Sequence, residues 1–296
     1  MMQEGSWAVS PQDCRGLGQG AALSPLESLS VIRASGADAL GFFDRLFCSR
    51  ISDIGEGAKL TGWADAQGRL IAVPRIVREA PESFLLLIPR GLAPAFLKKI
   101  RLYVFRSKVK FEDVTAGLRV SGLAGGGAAR VLEAAGLSVP EKPWEASRSE
   151  GLAAVRVPDA DPGRVPAFEA AFPRVIVLGE PGALSRLDAP KAPEGLWWLA
   201  DISCGLPMVF AATSGRFLPQ AVGLEKLGGV SFNKGCYPGQ EVIARLQNHP
   251  ERLKRQPEIL CSHEPLPGAG GECPGGTVVE SVSAGEAYYA LIEKQR

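Results

Sequence analysis

The residues with the greatest chemical potential in this chain lie between Lys234 and Glu241, where the sequence reads Lys-Gly-Cys-Tyr-Pro-Gly-Gln-Glu. A cation two residues from Cys236 favours the thiolate, which is the form of cysteine that reacts and binds metals. The two glycines and the proline predict a tight turn around the sulfur, because glycine permits close backbone approach. We interpret Cys236 as a functional thiol and Lys234 as its activating cation. The alternative is an inert cysteine in a turn.

A longer segment around this octapeptide, residues 229–245, resembles the signature of the YgfZ family. Members of this family are folate-binding proteins similar to the T-protein (aminomethyltransferase) of the glycine cleavage system. Further segments occur in the order typical of the family, at 36–38, 62–71, 103–109 and 214–220. The resemblance implies an α+β fold with three domains in a ring, folate in a central channel and a small C-terminal β-barrel.

The order of predicted elements leads to the same fold class. Strands that alternate with helices and antiparallel hairpins favour α+β over a doubly wound parallel sheet. The resemblance implies a discontinuous folate-binding domain at 25–55 and 115–249, an inserted α+β middle domain at 56–114 and a short barrel at 250–296. Residues 1–24 lack the pattern of a secretory signal. They mix Gly, Gln, Ser and acidic residues, and we expect a disordered leader with Trp7 as its only bulky anchor.

The resemblance also assigns roles within and after the octapeptide. Cys236 takes the place of an acid in the T-protein, and this exchange is typical of the YgfZ-like branch. Tyr237, Gln240, Glu241 and Arg245 match the branch and are expected to contribute to the cofactor site. On residue type alone, Tyr237 would be a core residue and Arg245 a charge on a helix surface.

The predicted cofactor is tetrahydrofolate or a derivative. Folate binding in this family depends on tryptophans, whose rings stack on the pterin and whose N–H groups donate hydrogen bonds. Trp197 or Trp198 fits one such position, and we assign both to the cofactor site. Leu29 stands at the other position, where this chain has no aromatic ring.

The acids that serve the T-protein reaction are replaced in this chain. Ser203 stands where a glutamate would hold the pterin, and no acid follows Gly68 in the predicted hairpin. An aminomethyl transfer needs a carboxylate within hydrogen-bond reach of the folate nitrogen. We therefore do not expect a true aminomethyltransferase, unless Asp65 or Asp201 takes over that role.

Three functions follow from these residues. The first is a folate-binding accessory protein for iron–sulfur cluster assembly or repair, acting through Cys236 on cluster enzymes and indirectly on tRNA modification. Its partners would be folate and iron–sulfur enzymes or their assembly factors. The second is a folate-dependent one-carbon transferase. The third is a direct tRNA-binding protein, based on two basic stretches at 98–110 and 252–255, for which solvated surface charge is the alternative.

Composition limits the remaining classes. The chain has 296 residues and a net charge of +1, so no global field favours nucleic acid or a membrane surface. No apolar run approaches the roughly 20 residues of a membrane span. The cysteines are Cys14, Cys48, Cys204, Cys236, Cys261 and Cys273. Their irregular spacing predicts neither a disulfide framework nor a metal site, which favours a reducing cytoplasm.

Overall fold

The computed structural model describes residues 5–295. Its strands are β1 (Ser6–Val9), β2 (Ala22–Pro25), β3 (Leu29–Ser35), β4 (Ala58–Leu60), β5 (Trp63–Ala64), β6 (Leu70–Ala72), β7 (Arg75–Ala80), β8 (Ser83–Pro89), β9 (Lys110–Asp113), β10 (Arg119–Ala124), β11 (Ala146–Ser149), β12 (Leu152–Ala160), β13 (Phe172–Gly179), β14 (Arg255–Ser262), β15 (Glu272–Cys273), β16 (Gly276–Ala284) and β17 (Ala287–Gln295). Its helices are α1 (Ala39–Leu46), α2 (Ala93–Val104), α3 (Ala128–Ala134), α4 (Pro181–Leu184), α5 (Glu194–Cys204) and α6 (Gln240–Asn248). Largely antiparallel strands with short helices confirm the predicted α+β class.

The first sheet has the strand order β4-β7-β8-β3-β9 with antiparallel pairing throughout. Strand β8 is an almost continuous apolar run and is buried from Phe84 to Pro89, as such runs predict. Strand β3 pairs with both β8 and β9, so it lies inside this sheet. The predicted domain boundary between residues 55 and 56 therefore cuts across a continuous sheet.

The second sheet has the strand order β11-β12-β13-β10-β2. Helices α3 and α4 contact strand β13. Their apolar residues share a buried cluster with Leu23, Leu123 and Val177. This layer of helix on sheet buries one apolar face of each element, which is the ordinary way such elements gain stability.

The third sheet combines the two ends of the chain. Its strand order is β1-β16-β17-β14, and β15 pairs with β16. Strand β1 runs parallel to β16, with Trp7 opposite Val282. The prediction of a disordered leader is therefore wrong for residues 5–24, whereas residues 1–4 lie outside the described residues. Local composition does not predict β1, because the strand that pairs with it, β16, lies more than 270 residues away in the sequence.

Helix α5 lies in the core and contacts β1, β12 and β16. Its residues from Gly195 to Ser203 are all buried. A helix that is apolar on every side is expected inside a protein and not at its surface. The helix ends at Gly205, whose φ of 66° is left-handed and favours glycine. This arrangement carries Trp197, Trp198 and Asp201 into the centre of the molecule.

Candidate functional site

The cysteine loop, residues 229–239, is fastened to the segment that follows α1. The backbone N–H of Ser231 donates to the carbonyl of Cys48 at 2.9 Å, and the N–H of Arg50 donates to the Ser231 hydroxyl at 3.0 Å. The Lys234 ammonium donates to the carbonyls of Phe47 at 2.6 Å and Ser49 at 2.9 Å. Bonds between segments this far apart in sequence fix the loop on the surface of the fold.

Lys234 is half-buried beneath its own loop. Its Nζ lies 5.1 Å from the centre of the Tyr237 ring, within the range of a cation–π contact. Burial lowers the pKa of Lys234 to about 8, although the charge of Asp44 opposes this shift. The hydrogen bonds of Lys234 go to backbone carbonyls of another segment and not to the Cys236 sulfur. In the structure Lys234 therefore anchors the loop, and the activation of the thiol stays a prediction.

Cys236 lies exposed on this loop. The neighbouring Gly235 has open space where a side chain would stand. Gly239 is different, because its φ is 78° and an added Cβ would lie 2.3 Å from the carbonyl oxygen of Asp65. A substitution at Gly239 would therefore push the loop away from the 65–68 turn. The octapeptide thus presents its thiol to solvent from a loop seated on a hairpin.

Tyr237 supplies the buried side of the loop. Its exposed fraction is 6%, and its hydroxyl forms no hydrogen bond within the described residues. Burial raises the pKa of Tyr237. Burial likewise raises the pKa of the Cys48 thiol to about 12. Cys48 is therefore held as an inert thiol under the loop, in contrast to Cys236.

The other predicted residues of the motif lie on α6. Gln240 opens the helix and is partly buried, whereas Glu241 and Arg245 are exposed. The helix is held to the core because the Gln220 amide donates to the carbonyl of Ile243 at 2.7 Å. Glu241 and Arg245 form no ion pair among residues 5–295. The structure brings Gln240 near the cysteine loop and leaves Glu241 and Arg245 on the outer face of α6.

Trp198 is fully buried on α5 by partners from its own chain. Its ring stacks on Trp7 with centroids 5.0 Å apart, and the Arg75 guanidinium carbon lies 5.7 Å from the ring centre. Its indole N–H donates to Glu194 at 3.1 Å. Burial raises the pKa of Glu194, against the effect of these hydrogen bonds. The stacking and hydrogen-bonding capacity predicted for folate is thus already used within the protein.

Trp197 is buried in the same helix. The Arg174 guanidinium carbon lies 4.8 Å from its ring centre. A Cβ at Gly122 would lie 2.2 Å from a ring atom, so the absence of a side chain at Gly122 is what admits the indole. The Trp197 N–H has no partner within the described residues. Both predicted cofactor tryptophans are core residues in this structure, whereas Cys236 is exposed at the surface.

A buried charge cluster surrounds these tryptophans, and sequence reasoning missed it. Asp201 accepts hydrogen bonds from Arg75 and, at 2.7 Å, from Arg174, and all three side chains are at most 1% exposed. Glu280 is fully buried beside them, and neither of its carboxylate oxygens has a partner within the described residues. Burial raises the pKa of Glu280 well above its usual value, and the charge of Asp201 adds to this effect.

A sequence signal for this cluster did exist. Arg174 interrupts the apolar strand Phe172–Gly179, and a lone charge on a buried strand requires a buried partner. The partner is Asp201, which is therefore engaged in neutralising arginines and is not a free acid. Asp65 is also engaged, because its Oδ1 accepts from the backbone N–H groups of Gln67 and Arg69, both at 2.9 Å.

The two positions that depart from the family pattern have structural roles. The Ser203 hydroxyl donates to the carbonyl of Ala200 at 2.7 Å and accepts from the N–H of Asp161 at 3.0 Å. Leu29 is 2% exposed and pairs with Pro89 in the first sheet. Neither side chain presents a group that would bind folate.

Between residues 5 and 295, no group of three or more His, Cys, Asp or Glu side chains is arranged to hold a metal ion. In the same part of the chain, no helix combines the length and apolar character that a bilayer span requires.

Known proteins resemble this chain in sequence and in fold. No family model matches the chain. The tRNA-modifying protein YgfZ of Edwardsiella ictaluri is 30% identical over 238 residues, which cover 75% of this chain and 66% of that protein. The tRNA-modifying protein YgfZ of Colwellia psychrerythraea is 26% identical over 230 residues, covering 76% and 67% respectively. The chain thus spans about two thirds of the length of the curated relatives it matches.

A solved structure shares the fold. The glycine cleavage system aminomethyltransferase T from Bartonella henselae superposes with a TM-score of 0.71 over 96% of this chain and 81% of that protein. Its sequence identity is 14%, so the likeness concerns the fold alone. The fold is that of the aminomethyltransferases, as the octapeptide and the segments before it predicted. The curated relatives confirm the predicted resemblance of the chain to the YgfZ family.

Proposed function

We propose that this protein is a YgfZ-type accessory protein that acts through Cys236 in the assembly or repair of iron–sulfur clusters, and thereby indirectly in tRNA modification. The observation that carries this proposal is an exposed thiol on a loop that is fixed from below. Backbone bonds to Cys48 and Arg50 and the buried Lys234 ammonium hold the loop, while the sulfur stays accessible. A rigid, accessible thiol suits transient contact with another protein.

One cysteine cannot hold a cluster alone, because iron–sulfur clusters are bound by several thiolates. Within residues 5–295, no group of three or more His, Cys, Asp or Glu side chains is placed to hold a metal ion with Cys236. Cys14 and Cys48 are buried, and Cys261 is exposed but lies on β14. We therefore expect the other ligands to come from a client enzyme or an assembly factor, with Cys236 as one contact point.

We propose tetrahydrofolate or a derivative as the cofactor, supported by the family and by the aminomethyltransferase fold. If folate stacks on Trp198, it has to displace Trp7 from that ring or share it, since Trp7 is stacked there at 5.0 Å. Gln240 and Tyr237 remain candidates for contacts at the loop. A one-carbon transferase would need a free carboxylate at the folate. Asp65 and Asp201, the two candidates, are both engaged in structural hydrogen bonds, so we do not propose that activity.

The thiol is tested by replacing Cys236 with serine and, as a matched control, replacing the other exposed cysteine, Cys261, with serine. Each variant is expressed in a host that lacks its own YgfZ protein, and the activity of iron–sulfur enzymes and the level of thiolated tRNA are measured. We expect Cys236→Ser to lose the rescue and Cys261→Ser to keep it. Equal rescue by both variants would remove Cys236 from the mechanism.

The cofactor is tested separately by titrating tetrahydrofolate and following tryptophan fluorescence. Saturable quenching by wild type that is lost in Trp198→Phe would support stacking on that ring. Trp144→Phe serves as the control, because Trp144 lies outside α5 and is only partly buried against the core. Quenching that persists in Trp198→Phe would place the folate elsewhere.

A further inference from the structure

A cleft at the far end of α6 is unused by the proposed function. Its volume is about 510 Å³. It lies between the hairpin that carries Arg69, the segment 215–218, the last turn of α6 at Leu246, the segment 252–255 and the third sheet. A cleft of this size is suited to a small ligand or to one unit of a polymer.

The rim of the cleft is cationic. Its lining includes the exposed side chains Arg69, Arg216, Arg252, Lys254 and Arg255 against two carboxylates, Glu272 and Glu293. Arg255 pairs with Glu293 at 3.2 Å, and Arg216 approaches Glu272 at 3.5 Å. Arg252 and Lys254 have no carboxylate partner among residues 5–295. The cations thus exceed the acids that could neutralise them.

Two of the arginines are held in place by backbone groups. Arg69 donates to the carbonyl of Arg216, and Arg216 donates to the carbonyl of Gly270 at 2.8 Å. A carbonyl orients a guanidinium without cancelling its charge. The buried side chains of Phe217 and Leu253 contribute apolar surface to the cleft. Apolar surroundings strengthen electrostatic attraction to a bound anion, because they exclude water.

We propose that this cleft binds the phosphate groups of a nucleotide, either free or within an RNA chain. Phosphate matches the excess positive charge, and guanidinium groups bind phosphate oxygens through paired hydrogen bonds. The segment 252–255 is one of the basic stretches in the sequence, and the fold joins it to Arg69 and Arg216 from distant segments. Helix α6 is nine residues or about 13 Å long, starts at the cysteine loop and brings Leu246 of its last turn to the cleft, whereas the hairpin that carries Arg69 contacts the loop at Gly239.

The test uses the full chain, with a fluorescent single-stranded RNA and with ATP as separate probes. The site variant is Arg252→Gln with Lys254→Gln, which removes the two cations that lack a carboxylate partner. The control variant is Arg130→Gln with Lys142→Gln, which removes the same charge from exposed positions outside the cleft and outside both basic stretches. All four positions are exposed, so equal melting temperatures are expected and are checked first.

We expect the site variant to bind the responsive probe roughly tenfold to thirtyfold more weakly at 0.1 M salt, with the salt slope for RNA reduced by about 1.4. The control variant should bind as wild type does. Binding of ATP would identify a free nucleotide as the ligand, and binding of RNA alone would identify the chain.

Three outcomes would overturn the proposal. One is no binding of either probe, and another is an equal loss in both variants, which indicates non-specific charge. The third is equal competition by an oligoglutamate of matched charge, which removes the preference for phosphate. Cys236→Ser should bind the probes as wild type does, so failure of the cleft and failure of the cysteine mechanism give different results.

Discussion

The cysteine loop and helix α5 carry the two halves of the predicted site, and they meet solvent in opposite ways. The loop buries its anchors, Lys234 and Tyr237, and leaves the Cys236 thiol exposed. Helix α5 buries the very groups that were expected to bind the cofactor, Trp197 and Trp198. One half is open to a partner, whereas the other is filled by the protein itself.

The difference shows how intramolecular partners compete with a ligand. A pterin that stacks on Trp198 gains about the same aromatic contact that Trp7 already provides, worth roughly 0.5–1.5 kcal/mol. Such a ligand would also have to disturb β1, which is paired with β16. Cys236 has no such competitor, since no hydrogen bond from its sulfur is formed within the described residues.

The largest expected effect lies in the buried half, at Asp201. Asp201→Asn leaves Arg75 and Arg174 buried without a countercharge, so we expect a loss of about 3–5 kcal/mol in the free energy of unfolding. Denaturant unfolding measures this loss. As a control, Asp159→Asn breaks the half-exposed pair with Arg156 and should cost at most about 1 kcal/mol. Equal losses in both variants would mean that the central cluster is not a critical ion pair.

The next effect is a pH dependence from Glu280. Its pKa is raised in the fold by burial and by Asp201, despite the opposing charges of Arg75 and Arg174. Between the unfolded pKa and this higher folded pKa, the native state binds more protons, so its stability falls as pH rises. Glu280→Gln removes the titrating group while keeping its shape.

We therefore expect Glu280→Gln to gain stability over wild type as pH rises, by up to about 1.4 kcal/mol for each pH unit in that window. Comparing unfolding free energies of both proteins at pH 5 and pH 7 measures the trend. Groups other than Glu280 titrate in both proteins, so their effects largely cancel in the difference. A variant whose advantage is the same at both pH values would place the ionisation of Glu280 outside this range.

The sequence predicted structure best where a feature depends on residues that are close together along the chain. Lys234 to Glu241 identified an accessible loop, and the apolar run in β8 identified a buried strand. It was least informative where distant segments meet. Ser6–Val9 has no local feature that reveals its pairing with β16, and so the packing of Trp7 on Trp198 was not foreseen.

The partners of Lys234 show the same limit within the best-predicted motif. Spacing along the chain placed its ammonium next to Cys236, but the fold directs it to carbonyls at Phe47 and Ser49, more than 180 residues away. Side-chain direction depends on the tertiary contacts of the loop, which a local pattern does not contain. The identity of the motif was thus predictable, whereas the hydrogen-bond partners of Lys234 were not.

A smaller effect is expected at Trp7, because its removal would uncover Trp198 in the way that Cys236 is uncovered on the loop. Trp7→Ala removes the ring that covers Trp198, and we expect a loss of about 2 kcal/mol in unfolding free energy. Trp7→Phe keeps an aromatic contact and should lose less. If folate stacks on Trp198, the alanine variant should also bind tetrahydrofolate more tightly than wild type in a fluorescence titration. Weaker binding would mean that Trp7 belongs to the folate site instead of covering it.

The smallest effect concerns the anchoring of the exposed half. Lys234→Met keeps much of the apolar stem but removes two hydrogen bonds to carbonyls, so we expect a loss of about 1.5 kcal/mol. The loss should be local, with faster hydrogen exchange at the Ser231 and Arg50 amides, which bind across the same junction. Lys226→Met changes an exposed lysine on the preceding turn and should leave that exchange unaltered. If Lys234 acted on the thiol alone, its replacement would change the reactivity of Cys236 while the two amides kept their protection.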